Sequence, residues 1–313
     1  MRETLLFKKY NFNLFYYFSN TKRYYSINRY NEIPNDFKFD PSFCEWLVGF
    51  TDGDGYFRII KSKNSYRLEF DLSQSFYNIR LLYKIKSKFG YGSVTKIKSR
   101  HTARFRITDK KVLTKVIFPI FDKYSLLTTK QYNYIKFKKA YTILEDKNLT
   151  ILDKNSKIEI LLSTFIVNNY ISTALKKLDP KLSSNSDILK IISYDWLTGF
   201  IEAKGYFGII LFKNKIYTEF NITQKLDSIL LEYIRRIFHI PGKLVYFENR
   251  DIYQLKTKNS RAVQNIIDLM NGKFKGIKSL EFKLWSKAFY YRNTNLIKVT
   301  KIYQILKKFR SKK

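Results

Sequence analysis

The stretch Trp46 to Phe57 reads WLVGFTDGDGYF, and 150 residues later Trp196 to Phe207 reads WLTGFIEAKGYF. Seven of the twelve positions are identical: the tryptophan, the leucine, the first glycine, the phenylalanine, the last glycine and the closing Tyr-Phe pair. At the same offset and without a gap, Ile59-Ile60 meets Ile209-Ile210, Glu69-Phe70 meets Glu219-Phe220, Gln74 meets Gln224, and Gly92 meets Gly242. Matches sustained over such a span imply two copies of one structural unit facing each other.

Pro41 and Ser42 read as a helix start, and Trp46, Gly49, Phe50 and Gly53 recur every three or four residues, which sets them on one helical face. A glycine inside a helix costs roughly 1 kcal/mol relative to alanine, so a compensating role is expected. Close approach of two helices supplies one, with Trp196, Gly199 and Phe200 as the equivalent stripe on the second helix. These seven residues are the expected joint between the halves.

After Gly55 the period changes to two. Tyr56 to Ile60 and Tyr66 to Leu72 read as strands, with Gln74 just past the second. A helix over Ile79 to Phe89, strands over Gly92 to Lys98 and Thr102 to Thr108, and a helix over Val112 to Ile120 complete the first half. The same order returns between Asp195 and Met270. The fold class expected is α+β: two pseudo-symmetric αββαββα halves forming a saddle of antiparallel β-sheets, with the two motif helices at their interface. The expected division is a basic N-terminal arm or linker (1–40), a first half with connecting helices (41–177, including helices over Gln131 to Leu144 and Lys157 to Leu175), a linker (178–192) and a second half (193–313). Two basic helices, around Leu280 to Tyr290 and Val299 to Phe309, close the second half.

The chain's 59 basic and 26 acidic residues leave a formal charge of +33. Such a charge is self-repelling in a compact protein and calls for a polyanion, for which nucleic acid is the leading choice because phosphate contacts release condensed counterions. An anionic membrane surface is the competing reading. Strand alternation puts Arg58, Lys63, Arg67 and Lys213 on a face that helices do not cover. Lys96, Lys98, Arg104 and Arg106 in the first half, with Arg250, Lys256 and Lys258 in the second, extend the candidate contacts.

One cysteine, Cys44, and two histidines, His101 and His239, exclude a disulfide scaffold and an ordinary zinc site, so any metal must be held by oxygen. No apolar run reaches the length of a membrane span. Heavy use of Lys, Asn, Ile, Tyr and Phe, all with codons rich in A and T, points to an AT-rich organellar genome.

Leu47 to Gly55, LVGFTDGDG, resembles the nine-residue signature of the LAGLIDADG homing endonucleases and intron maturases, and LTGFIEAKG at Leu197 to Gly205 resembles its second copy. The resemblance extends over roughly 42–290 and implies a two-motif, single-chain member. It further implies that an acid near the end of each signature helps bind divalent metal for hydrolysis of two strands. Asp54 is that acid in the first copy, as catalytic residue and metal ligand; the second position is Lys204, a degenerate catalytic position. An ammonium has no lone pair for coordination. Gln74 and Gln224 match the catalytic glutamines that order water, and Lys130 and Lys273 match the late basic positions. Asp52 and Glu202 lie two residues before the signature acids, about 200° away around the helix, and are expected to cap or neutralise rather than replace the lost ligand.

With its second acid replaced, the resemblance implies an intron-encoded RNA maturase that binds a folded group I intron RNA and assists its splicing, a role that needs basic surface but no nuclease metal site. The alternative is a homing endonuclease making metal-dependent breaks in double-stranded DNA, or a form of it reduced to nicking or binding, with Mg2+ required only where cleavage remains. A structural nucleic-acid-binding protein is the third reading. The expected setting is a monomer in the mitochondrial matrix, encoded in the organelle genome, with a nuclear-encoded splicing cofactor as a further partner and no membrane span.

Overall fold

In the computed structural model, which describes residues 39–166, 170–212 and 215–311, helix α1 (Pro41–Asp54) starts where the Asp40 carboxylate accepts the Phe43 N–H at 3.2 Å. Pro41 occupies the first turn, where a missing N–H costs nothing. Its counterpart, α7 (Tyr194–Lys204), is capped by the Ser193 hydroxyl, which accepts the Trp196 N–H at 3.1 Å. Each motif helix passes directly into a strand at its closing glycine, Gly55 or Gly205.

In the first half α1 is followed by β1 (Gly55–Ser62), β2 (Ser65–Ser75), α2 (Ile79–Phe89), β3 (Ser93–Ile97), β4 (Thr102–Ile107) and α3 (110–123). Two further helices, α4 (Lys130–Glu145) and α5 (Ile151–Ser163), lead to α6 (Asn185–Ile191). The second half repeats the order with α7, β5 (Gly205–Phe212), β6 (Lys215–Gln224), α8 (Ser228–Ile237), β7 (Val245–Phe247), β8 (Ile252–Thr257) and α9 (Ser260–Met270). The expected basic helices follow as α10 (Lys278–Tyr291) and α11 (Leu296–Arg310). The sheets are antiparallel with orders β1-β2-β4-β3 and β5-β6-β8-β7, so both halves carry one topology.

The register explains why each sheet has two unlike faces. Phe57 pairs with Phe70 and Phe70 with Ile107, while Arg58 pairs with Glu69 and Asp71 with Arg106. Apolar and charged residues therefore fall on opposite sides. The apolar side packs on helices through aromatic rings: Phe57 meets Phe121 at 5.1 Å and Phe137 at 5.5 Å between centroids. In the second half Phe207 meets Phe282 at 5.2 Å and Trp285 at 5.0 Å, and the Trp285 indole donates to the Gly208 carbonyl.

Between the halves, α1 and α7 meet at backbone level. A methyl at Gly49 would stand 1.9 Å from the Trp196 carbonyl oxygen, and one at Gly199 would stand 1.9 Å from the Trp46 carbonyl oxygen. Gly53 faces Ala203, where a methyl would lie 2.2 Å from the alanine Cβ. Trp46 stacks on Phe50 and Trp196 on Phe200, at 5.1 and 5.0 Å, and all four side chains are buried. The seven joint residues thus lie where the repeat places them.

Three details depart from the expectations. The helix expected over Lys157 to Leu175 is α5, which starts at Ile151 because Thr150 and Asp153 form a reciprocal capping box, and it ends at Ser163. Gln74 lies within β2 rather than past it. Residues 178–192 carry α6 and are tied to α8: the Tyr233 hydroxyl donates to the Leu178 carbonyl, and Arg236 donates to Pro180 and Ser183 carbonyls. The expected arm, save Phe39 and Asp40, lies outside the described residues, as does Lys213.

Substituting Gly199→Ala forces the helices apart at the point of closest approach. We expect a loss of about 3 kcal/mol or more in urea unfolding; a change below about 0.5 kcal/mol would contradict backbone contact at this position.

Candidate functional site

Because α1 and α7 cross at Gly49 and Gly199 and both end in a strand, their last residues, Asp54 and Lys204, come together. Lys204 Nζ lies 3.3 Å from Asp54 Oδ1, and both side chains are partly open to solvent. The other carboxylate oxygen, Oδ2, accepts from Gln74 Nε2 at 2.6 Å, and Gln74 Oε1 in turn accepts from Asn78 Nδ2 at 2.8 Å. Asp54 is therefore held from both sides by nitrogen donors.

A second ammonium stands beside this pair. Lys130, the first residue of α4, donates from Nζ to the carbonyls of Thr51 at 2.9 Å and Gly53 at 2.7 Å. These are carbonyls of the last turn of α1, where the helix concentrates negative charge, and the Thr51 carbonyl also accepts the Gly55 N–H. Burial and then the nearby Lys204 ammonium lower the Lys130 pKa to about 8, against the pull of Asp54.

This donor set does not fit a divalent cation. Mg2+ and Ca2+ take several oxygen ligands, yet one oxygen of Asp54 already accepts from Gln74, the other is ion-paired with Lys204, and Lys204 offers no oxygen. Among the described residues no three His, Cys, Asp or Glu side chains gather as a metal site. Asp52 and Glu202 do not step in. Asp52 is fully buried and accepts the Leu127 N–H at 2.8 Å, the Thr128 N–H at 3.1 Å, the Thr128 hydroxyl and the Trp196 indole at 2.9 Å. Glu202, 2% exposed, accepts the Lys275 and Gly276 N–H groups, both at 2.7 Å. The Trp46 indole approaches Glu202 in the mirror-image place, short of full hydrogen-bond geometry.

The two buried acids thus hold the amides that lead into α4 and α10, one in each half. A second pair of contacts crosses between the halves: Asp227 accepts the Thr129 N–H at 2.8 Å, and Asn78 Oδ1 accepts the Ile277 N–H at 3.0 Å. Burial pushes both Asp52 and Asp227 up to about 6 despite their hydrogen bonds, and raises Glu202 as well. Gln224 serves this latch, donating to Asp227 Oδ2 at 2.8 Å. The two glutamines are equivalent in sequence and differ in partner, because the carboxylate that Gln74 finds at Asp54 is an ammonium at Lys204.

The basic candidates separate by position. Arg58, Arg67, Arg104 and Arg106 share the uncovered face of the first sheet. Acids also lie there: Asp71 pairs with Arg58 at 2.5 Å, and Glu69 with Arg104 at 3.4 Å and Arg106 at 3.2 Å. In the second sheet Lys256 and Lys258 flank Glu219 at 3.1 and 3.8 Å. The local balance of charge is closer than the overall composition implies, and the buried acids fix the cations in place. Lys63 sits in the β1–β2 turn, Lys98 and Arg250 in short turns before β4 and β8, and Lys96 on the opposite face, paired with core-facing Ala103.

Lys130 belongs to the central cluster, but Lys273 does not. Its ammonium lies 4.7 Å from the centre of the Tyr194 ring, at the start of α7 and so at the far end from Lys204. The structural counterpart of Lys130 is Lys278, the first residue of α10, which donates to the Gly205 carbonyl at 2.8 Å. Lys278 and Asp227 escaped the sequence reading. The repeat held a signal for Lys278, since it opens the helix equivalent to the one that Lys130 opens.

Comparison with known proteins places the repeat in a family. The LAGLIDADG endonuclease model matches residues 47–141 and 197–289. A probable intron-encoded endonuclease of Schizosaccharomyces pombe, Cox1-I1b, is 37% identical over 282 residues, covering 87% of this chain and 70% of its own. An uncharacterized mitochondrial protein of Saccharomyces cerevisiae, RF1, is 33% identical over 64% of this chain and 39% of its own. The chain spans 59% and 40% of two further curated relatives, so several relatives are much longer than the match. Among solved structures, a point mutant of I-SmaMI aligns with a TM-score of 0.69 and 25% identity over 86% of this chain and 98% of that one. I-SmaMI bound to an uncleaved DNA target with calcium aligns with a TM-score of 0.69 and 24% identity, over 88% and 98%.

The cross-half latch makes a prediction about pH. Asp227 moves from the ordinary 3.8 to about 6 on folding, so the folded protein favours its protonated form. That contribution to stability is complete below about 4 and is lost as pH rises through about 6. Asp227→Asn imitates the protonated acid, much as Asn78 already serves the other half. It should raise the thermal midpoint at pH 7.5 and flatten its decline between about pH 4 and 6. A lower midpoint at pH 7.5 with an unchanged slope would show that the carboxylate is needed charged.

Proposed function

The chain belongs to the LAGLIDADG endonuclease family, and we propose that within it the protein acts as an intron-encoded maturase, binding a folded group I intron RNA and assisting its splicing. The observation that carries this reading is the ion pair between Asp54 and Lys204, at 3.3 Å. Two-strand hydrolysis calls for carboxylate oxygens on hard cations at this place, and here an ammonium fills it. The binding apparatus is in better order than the cutting apparatus. The motif joint is closed, both sheets are complete, and the first sheet presents arginines held by buried acids. In the maturase role the RNA performs the splicing chemistry and the protein supplies shape and phosphate contacts.

The endonuclease reading has its own support. Asp54 keeps its contact with Gln74, which keeps Asn78, and relatives bear names of probable intron-encoded endonucleases. I-SmaMI, a protein of the same fold, binds an uncleaved DNA target in the presence of calcium ions. Under this reading Mg2+ would be the cofactor and cleavage would be confined to the strand served by Asp54. We place the protein in the mitochondrial matrix as a monomer, with a nuclear-encoded splicing factor as an additional partner. The names of the relatives, one from a cox1 intron and one mitochondrial, support that compartment.

Two measurements separate the readings. Splicing of the host intron at limiting magnesium should be stimulated by the purified protein; no stimulation across a range of protein concentrations would reject the maturase. Incubated with Mg2+ and a plasmid carrying the intronless insertion site, the protein should leave the plasmid unlinearised. Efficient linearisation would establish the endonuclease instead.

A further inference from the structure

The misfit between this site and a divalent cation has a positive side. The open cluster at the ends of α1 and α7 contains one carboxylate, Asp54, and two ammoniums, Lys204 and Lys130. Both oxygens of Asp54 are engaged, by Lys204 at 3.3 Å and by Gln74 at 2.6 Å. Lys204 has Asp54 as its one ion-pair partner among the described residues, which leaves two of its three N–H donors. Lys130 spends two donors on the Thr51 and Gly53 carbonyls and has one remaining. The cluster therefore has donors to offer and carries one more positive than negative charge. Asp54 and Lys204 are about a quarter to a third exposed, so that pair opens outward, with the more deeply placed Lys130 behind it.

The surroundings carry the same chemistry. Tyr56, on the uncovered face of β1, lies under the Arg58 guanidinium at 4.4 Å and the Lys130 ammonium at 5.3 Å from its ring centre. A strand laid on the first sheet thus passes from Arg58 over Tyr56 to the lysine pair. A compact, strongly hydrated ammonium binds a phosphate oxygen as a point charge, without the bidentate geometry that a guanidinium demands.

We propose that Lys204 and Lys130 together clasp one backbone phosphate of the bound nucleic acid, the Lys204 ammonium beside Asp54 supplying positive charge that needs no metal. The ligand is a phosphodiester, from RNA or DNA, and its capture at this position needs no metal. The proposal rests on the reading of the site as one that binds without cutting. Lys204 is here a binding group and Asp54 positions it.

The test uses the full chain and two probes, a short synthetic duplex DNA and a folded group I intron transcript, with affinity followed by fluorescence anisotropy against salt. For the duplex, affinity in EDTA should match that in Ca2+ within about twofold. Lys204→Met should weaken binding about fivefold and reduce the salt slope by about one unit, the share of one phosphate. Lys204→Arg should keep most of the slope, and thermal midpoints confirm that each variant is folded. The slope should fall on whichever probe reaches the clasp, which assigns the phosphate to RNA, DNA or both. An unchanged slope and affinity for Lys204→Met on both probes would overturn the proposal, as would wild-type duplex binding that weakens more than tenfold in EDTA. Absence of binding to the transcript, with a slope change on the duplex, would sink the maturase reading and leave the clasp standing.

Discussion

The contact on which the rest of the molecule depends is the meeting of two helix backbones at Gly49 and Gly199. Each glycine lies where a single methyl would stand 1.9 Å from a carbonyl of the opposite helix. No side-chain adjustment relieves a clash with backbone, so the position admits glycine alone. This contact sets the equal depth of the two helices, the common direction in which they deliver Asp54 and Lys204, and the entry of both sheets at Gly55 and Gly205. Trp46 and Trp196, stacked on Phe50 and Phe200, fill the space around the crossing.

The joint is reinforced from beneath by buried polar groups. Asp52 and Glu202 accept amide hydrogens leading into α4 and α10, while Asp227 and Asn78 carry similar contacts across to the opposite half. Burial makes charged acids costly here, as the raised pKa values of Asp52 and Asp227 indicate. Their hydrogen bonds offset much of that cost, and an unpartnered amide in the same place would be costly too. Asn78 in one half and Asp227 in the other show that an amide or an acid meets the need. The acid alone adds a dependence on pH.

Much of the fold was legible because a repeat is self-checking. WLVGFTDGDGYF and WLTGFIEAKGYF fix two helices, two glycine crossings and two strand starts without reference to distant contacts. The division of roles within the motif was legible too, since Asp52 and Glu202 sit on the wrong side of their helices to join Asp54. Long-range partners were not. Nothing local in the sequence tells that Gln224 turns to Asp227 while Gln74 turns to Asp54, because that choice depends on which charge stands at the end of the neighbouring helix. The resemblance points to Lys273 as the counterpart of Lys130, and the helix start at Lys278 shows why the structure pairs Lys130 with Lys278 instead: a loop between α9 and α10 sets the register. Net charge likewise hid Glu69, Asp71 and Glu219, three buried acids that hold the cations of the sheet faces.

Whether the end of the motif pair is a cation site or an anion site decides the function, and one residue decides that. Calorimetric titration of Ca2+ into the protein bound to a non-cleavable duplex addresses it directly, with Lys204→Glu as the comparison. An ammonium at the end of α7 should leave the wild-type complex without saturable calcium binding, whereas the variant, whose restored carboxylate faces Asp54, should bind. Saturable calcium binding by the wild-type complex that is lost in Asp54→Asn would show that the site still holds a cation.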